Sequence, residues 1–168
     1  MFLKGEDLYF LSYNTLVLLH GLGCLNSGRP FLDCSKIAFL IDFVANTRLA
    51  RIMGSMNKKD IRVQPPLVHH LQSAYTDGLV RRHIVSRLIF ALEKRKVLSV
   101  EIAKGTGLVN SWLESEIFSS DFFNTDLYEV EFENLALIRK ALPHLRTMTS
   151  GTMLQRMFGD NGVTIWDV

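Results

Sequence analysis

Three groups of residues in this chain have side chains that do chemistry at close spacing. The first is His69, His70, Asp77 and His83, a histidine and carboxylate set of the kind that holds zinc. Adjacent residues on a helix point about 100° apart. His69 and His70 therefore do not clamp one ion as a pair four residues apart would. Exposed or capping histidines just after Pro66 are the expectation. The second group is Cys24 and Cys34. Two cysteines are too few for a disulfide framework, and neither sits in the frame of a catalytic nucleophile. Both lie in apolar helical surroundings and are expected as buried thiols in a reducing compartment, the cytoplasm. The third is Lys104-Gly105-Thr106-Gly107. It lacks the frame of a phosphate-binding loop and falls between two alternating segments, which makes it a turn. Gly21-Leu22-Gly23 ends a helix rather than following a strand. No catalytic residue, metal site or cofactor is assigned, and an enzyme is not expected.

Charge is more informative. The net charge is only +2, but its distribution is uneven. From Arg48 to Lys96 there are eleven Lys/Arg against three acids, Asp60, Asp77 and Glu93. From Glu114 to Glu133 there are seven acids and no Lys/Arg. That acidic run lacks the central glycine and closing glutamate of a calcium loop. A basic middle followed by an acidic stretch reads either as two solvated faces or as a surface that meets a charged partner. Arg81, Arg82, Arg87, Lys94, Arg95, Lys96 and Lys104 are the candidate contacts to a partner or to nucleic acid. Met148, Met153, Met157, Phe158, Ile165 and Trp166 gather large apolar groups near the end of the chain. They complete the core or form a partner-binding surface, and Met153, Met157, Phe158 and Trp166 are the candidate partner contacts.

The elements that position these residues follow from periodicity. Leu8 to Leu25 reads as a helix with Leu11, Thr15, Leu18, Leu19 and Leu22 on one side. Its stretch Thr15 to Cys24 resembles the apolar core of a secretion signal. His20 inside it, and Glu6 and Asp7 before it, favour a buried helix. Asp33 is an N-cap for a second helix, apolar nearly all round, through Ile37, Ala38, Leu40, Ile41 and Val44. Another turn or two follows to Met53. Gly54 to Pro66 reads as an exposed linker. From Leu67 a long helix carries Val80, Ile84, Leu88 and Leu92 at steps of four, with Val85 and Ile89 beside them. The period then switches to two: Leu98, Val100 and Ile102 share a face, the turn follows, and Leu108 to Leu113 return. Phe118, Phe122 and Phe123 pin the acidic stretch. Phe132 to Leu145 is helical, a short helix capped by Ser150 runs to Gly159, and Val163 to Val168 reads as a strand. Ile37, Phe39, Leu40, Ile41, Ile84, Leu88, Leu92 and Val100 are the expected core. No run of about eighteen apolar residues is present, so no membrane span is expected.

Two helices, a linker, a long helix and a hairpin give the order of a winged helix. The expected fold is α+β, mostly α-helical: a winged-helix-like domain over residues 1–114, with a C-terminal helical extension over 115–168 packed on it. In a DNA-reading winged helix the long helix enters the major groove and the wing touches the backbone. Here Leu79-Val80 and Ile84-Val85 leave that helix a narrow polar face, and the wing tip holds one lysine. A protein-binding module is therefore preferred over a DNA-binding transcriptional regulator.

The segments YNTLVLLHGL, LDCSKIAFLIDFVAN, SRLIFALEKRKVLSVE and LRTMTSGTMLQRMFG, in that order, resemble a bacterial family. It is the middle component of ABC-three-component systems of the Lamassu anti-phage type. The resemblance covers most of the chain and rests on helix order and texture rather than on a diagnostic motif. It implies a non-catalytic accessory subunit encoded beside an SMC-like ATPase and a nuclease or other effector, linking the two. DNA enters as a further partner through the complex. The resemblance carries over no active-site residues.

Overall fold

A computed structural model describes residues 7–55, 65–119, 121–124 and 126–166. The fold is α+β and mostly helical, with one two-stranded antiparallel hairpin among the described residues. Helix α1 spans Leu8–Gly21, α2 Ile37–Ala45, α3 Thr47–Ser55 and α4 Pro65–Lys94. Strands β1 (Leu98–Ile102) and β2 (Val109–Leu113) follow, then α5 (Glu129–Ala141) and α6 (Ser150–Met157).

Local chemistry sets the boundaries. Asp7 caps α1, its Oδ1 accepting from the backbone N–H of Tyr9 at 2.9 Å and of Phe10 at 3.1 Å. The helix stops at Gly21 rather than at Leu25, because Gly23 turns the chain through φ 69°. Asp33 caps a 3₁₀ turn, Cys34–Lys36, that leads into α2, rather than α2 itself. Of the expected linker, residues 56–64 lie outside the described residues. Gly54 and Ser55 close α3, and Pro65 and Pro66 open α4, the end of a helix where proline is tolerated. Thr149 caps α6, its Oγ1 accepting from Thr152 N–H at 3.2 Å, so Ser150 is the first helical residue and not the cap.

The long helix is continuous through Asp77 and Gly78. Gly78 faces Phe39 of α2 so closely that a Cβ there would lie 2.8 Å from Phe39 Cε1. Steps of four misplace its buried stripe. Each such step overshoots a 3.6-residue turn by about 40°. The buried positions are Leu71, Ala74, Tyr75, Gly78, Arg81, Val85, Leu88, Ile89 and Leu92. Val80 drifts off that line and is 68% exposed, and Ile84 is half-buried.

The hairpin pairs Leu98 with Leu113 and Ile102 with Val109. Leu98 is buried, Val100 half-buried and Ile102 exposed, so the expected common face leaves the core as the ribbon extends. The free edge of β2 is covered: Phe31 exchanges two backbone bonds with Ser111, at 2.7 and 3.0 Å. No strand forms from Val163 to Trp166, and residues 167–168 lie outside the described residues. There the Tyr75 hydroxyl supplies backbone partners instead, accepting from Trp166 N–H at 3.1 Å and donating to Trp166 C=O at 3.2 Å.

One apolar core runs from Leu11 to Val163. Helix α2, with seven of its nine residues buried, is its centre. From beyond residue 114, Leu135, Ile138, Met153, Met157 and Phe158 are buried in the same core as α2.

Candidate functional site

The candidate cations separate into three environments. Arg81 does not face solvent. It is 4% exposed, and its guanidinium donates to both carboxylate oxygens of Asp42 at 2.9 and 2.8 Å and to Ala38 C=O at 3.3 Å. Its place on the buried stripe of α4 excludes it as a contact to a partner or to nucleic acid. Arg82 is half-buried and lines an open cavity of about 330 Å³ with Ser35, Ser150, Gln155 and Trp166. Arg87, Lys94, Arg95, Lys96 and Lys104 are exposed. Arg87 and Lys94 lie two turns apart along one face of α4. Lys96 ends the helix in the left-handed region at φ 59°, its N–H reaching Glu93 C=O at 2.7 Å. Arg87 and Lys94 lie on α4, Arg95 and Lys96 in the turn before the wing, and Lys104 at the tip of the wing.

The C-terminal apolar candidates divide as well. Met153, Met157 and Phe158 are fully buried. Phe158 meets Tyr75, Phe43 and Phe39 with ring centroids 5.2, 5.9 and 6.3 Å apart. These three side chains are buried in the shared core, with Phe158, just after α6, against rings of α2 and α4. Trp166 alone of the four is exposed, at 66%.

The histidine and cysteine candidates do not assemble. His69 and His70 stand with ring centroids 6.4 Å apart. Among the described residues no group of three or more His, Cys, Asp or Glu is placed to hold a metal ion. Cys24 and Cys34 are buried free thiols, as expected. Burial pushes them up to about 11 and about 12 respectively, and the Cys34 thiol lies 3.0 Å from the Ser111 hydroxyl. Such thiols are poor nucleophiles at neutral pH.

Two features escaped the sequence reading. The first is Lys36, fully buried in the turn that opens α2. Its Nζ donates to Met148 C=O at 2.8 Å, Leu145 C=O at 2.9 Å and Arg146 C=O at 3.4 Å, and it sits 4.4 Å from the centre of the Phe31 ring. Burial lowers its pKa to about 8. Lys36 therefore ties the chain after α5 to the start of α2, and nothing in its local pattern marks it as internal.

The second is an aromatic face built where α1 begins and α5 begins. Tyr13 stacks on Tyr128, centroids 5.5 Å apart, and its hydroxyl donates to Leu127 C=O at 3.0 Å. Burial and then the nearby Glu131 push the Tyr13 hydroxyl up to about 12. Phe122 lies 6.0 Å from Tyr128 and 5.1 Å from Phe118. Phe123 closes the cluster over His20, stacked 3.9 Å from its ring, and burial lowers the His20 pKa. Phe118 and Phe123 thus pin the acidic stretch as expected, whereas Phe122 is 40% exposed. Around this cluster Tyr9 is 90% exposed, Leu127 76% and Val130 52%. Tyr9 is one turn from Tyr13 on α1, and Val130 is one turn from Leu127. The two acids of the first turn of α5, Glu129 and Glu131, rim the face with Asp126 and Glu133.

No helix among the described residues is long and apolar enough to cross a membrane. No family model, curated protein or solved structure matches the chain.

Proposed function

We propose that this protein is a non-catalytic accessory subunit that joins a larger SMC-like ATPase to its effector or nuclease in a bacterial anti-phage system of the cytoplasm. The observation that carries the reading is the exposed aromatic face around Tyr9 and Leu127. Large apolar side chains at 90% and 76% exposure, adjoining a stacked aromatic cluster, are what a protein-binding surface presents. The resemblance in helix order to the middle component of three-component systems supplies the partner class. The test is co-purification from the native operon. Co-elution with the encoded ATPase supports the adaptor. Elution as a monodisperse monomer, free of every co-encoded protein, ends it.

A second reading is a winged-helix DNA-binding regulator. The single bridge from Phe31 to β2, with a long helix before the two-stranded hairpin, favours it. So do the exposed cations Arg87, Lys94, Arg95, Lys96 and Lys104, spread over the long helix, the turn after it and the wing tip, the elements that touch DNA in such a fold.

A further inference from the structure

The aromatic face joins an apolar centre to charge of one sign. Helix α1, from Leu8 to Gly21, carries no Lys or Arg, and the first ten residues of α5 carry none. Between Glu114 and Glu133 all seven charged groups are acids. Asp126, Glu129 and Glu133 are exposed and adjacent to the apolar Leu127 and Val130. An occupant of this face must bring apolar side chains for the centre and cations for the rim.

The backbone of the face limits the occupant further. It is made of two helix starts and an aromatic loop, with no strand edge. Phe31 bridges the β2 edge of the hairpin. An extended segment docks by main-chain bonds to a sheet edge, and none is offered here. A helix satisfies its own backbone and presents only side chains, which suits this surface.

We infer that the face around Tyr9, Tyr13, Leu127 and Val130 is the docking site for an amphipathic helix of a partner subunit, one whose apolar stripe is flanked by lysine and arginine. The partner's identity rests on the adaptor reading; the chemistry of the face does not. Binding is governed by apolar burial at Tyr9 and Leu127 and by charge at Asp126, Glu129 and Glu133. It weakens as salt rises.

The experiment uses the full chain and two synthetic helical peptides that share one leucine stripe. One has lysine flanks and the other glutamate flanks. Two exposed-site variants accompany the wild type: Tyr9→Ser with Leu127→Ser, and Asp126→Asn with Glu129→Gln and Glu133→Gln. Circular dichroism checks that both fold. The lysine peptide binds the wild type at least about tenfold tighter than the glutamate peptide, a difference of about 1.4 kcal/mol. The serine variant loses most of that binding to both peptides, and the amide variant loses the discrimination and its salt dependence. Equal affinity for the two peptides, no affinity for either, or variants that bind like the wild type would each overturn the inference. The operon complex separates the two failures. If the serine variant co-elutes with the ATPase as well as the wild type does, the face is not the docking site although the adaptor reading stands. If the wild type elutes alone yet selects the lysine peptide through this face, the adaptor reading falls and the chemistry of the face holds.

Discussion

Arg81 of α4 grips Asp42 of α2 through both carboxylate oxygens, at 2.9 and 2.8 Å, where α4 packs against the apolar α2. The Arg81 side chain is 5% exposed and that of Asp42 20%. Such a pair contributes little net stability, but it is costly to break on one side, since the partner is left charged and half-buried.

Arg81→Met should therefore destabilise the fold by about 3 kcal/mol, whereas the double variant Arg81→Met, Asp42→Leu recovers most of that loss. A double-mutant cycle by urea denaturation measures it. Additive losses would mean that the two residues act independently.

Gly78→Ala should destabilise the fold although alanine is the better helix former by about 1 kcal/mol. The new Cβ would fall 2.8 and 2.9 Å from Phe39 Cε1 and Cγ, an overpacking of the kind that costs about 1–3 kcal/mol. Phe39→Leu in the same background should relieve part of the loss. A more stable Gly78→Ala would show that the helices move apart freely.

Lys36 should make stability depend on alkaline pH. Its folded pKa is lowered from 10.5 to about 8, so between those values the unfolded chain binds the extra proton. Its contribution is present above about 10.5 and is lost as pH falls through about 8. The buried thiols work in the opposite sense, since their folded values are raised from 9.0. Comparing wild type with Lys36→Met cancels the thiols. The wild type should gain on the variant as pH rises from 8 to 10.5, read by chemical denaturation at each pH. A flat difference would place Lys36 in water.

Cys24 and Cys34 should resist thiol reagents in the native state at pH 8, where both remain protonated. Labelling followed by mass spectrometry should show both reacting together, at the rate of global unfolding. Fast native labelling of either would mean that its cover opens locally.

The regulator reading is tested with the exposed Arg87, Lys94, Arg95, Lys96 and Lys104 changed to glutamine, sparing the buried Arg81. If the regulator reading holds, the wild type binds duplex DNA with an affinity that falls steeply from 50 to 200 mM salt, and the variant loses both affinity and slope. No salt-dependent binding near 50 mM assigns these charges to solvent or to a protein partner.

Much of the architecture was legible because periodicity reports directly on burial. The apolar α2, the long α4, the hairpin with its glycine turn and the two C-terminal helices all follow from spacing and breakers. Of the eight expected core residues, Ile37, Phe39, Leu40, Ile41, Leu88 and Leu92 are buried, and Ile84 and Val100 are half-buried. The errors have a common origin in angle. Counting α4 in steps of four put Val80 inward and Arg81 outward, yet Arg81 is eleven residues from Leu92, which returns it to within about 20° of the same line. Asp42, the lone charge in IAFLIDFVA, was the signal that an internal cation existed. Lys36 left no such signal, because its partners are backbone carbonyls more than a hundred residues away. The aromatic face is half legible: the sequence predicts that Phe118, Phe122 and Phe123 pin the acidic stretch, but their link through Tyr128 to Tyr13 is a tertiary event. The C-terminal strand does not form over Val163 to Trp166, where the Trp166 backbone bonds to the Tyr75 hydroxyl rather than to a strand.

The closure of α2 by Phe158 also bears on how this chain is made. Ribosomes deliver the N-terminal part first, and α2 emerges early, apolar on nearly every side. The Phe158 ring that packs against Phe39 and Phe43 is translated more than a hundred residues after them. Throughout synthesis the nascent chain carries an uncovered greasy helix that its own remaining length must come back to shield. Truncation before α6 should then yield insoluble fragments rather than smaller folded domains, and holdase chaperones should engage the nascent chain until Phe158 is released.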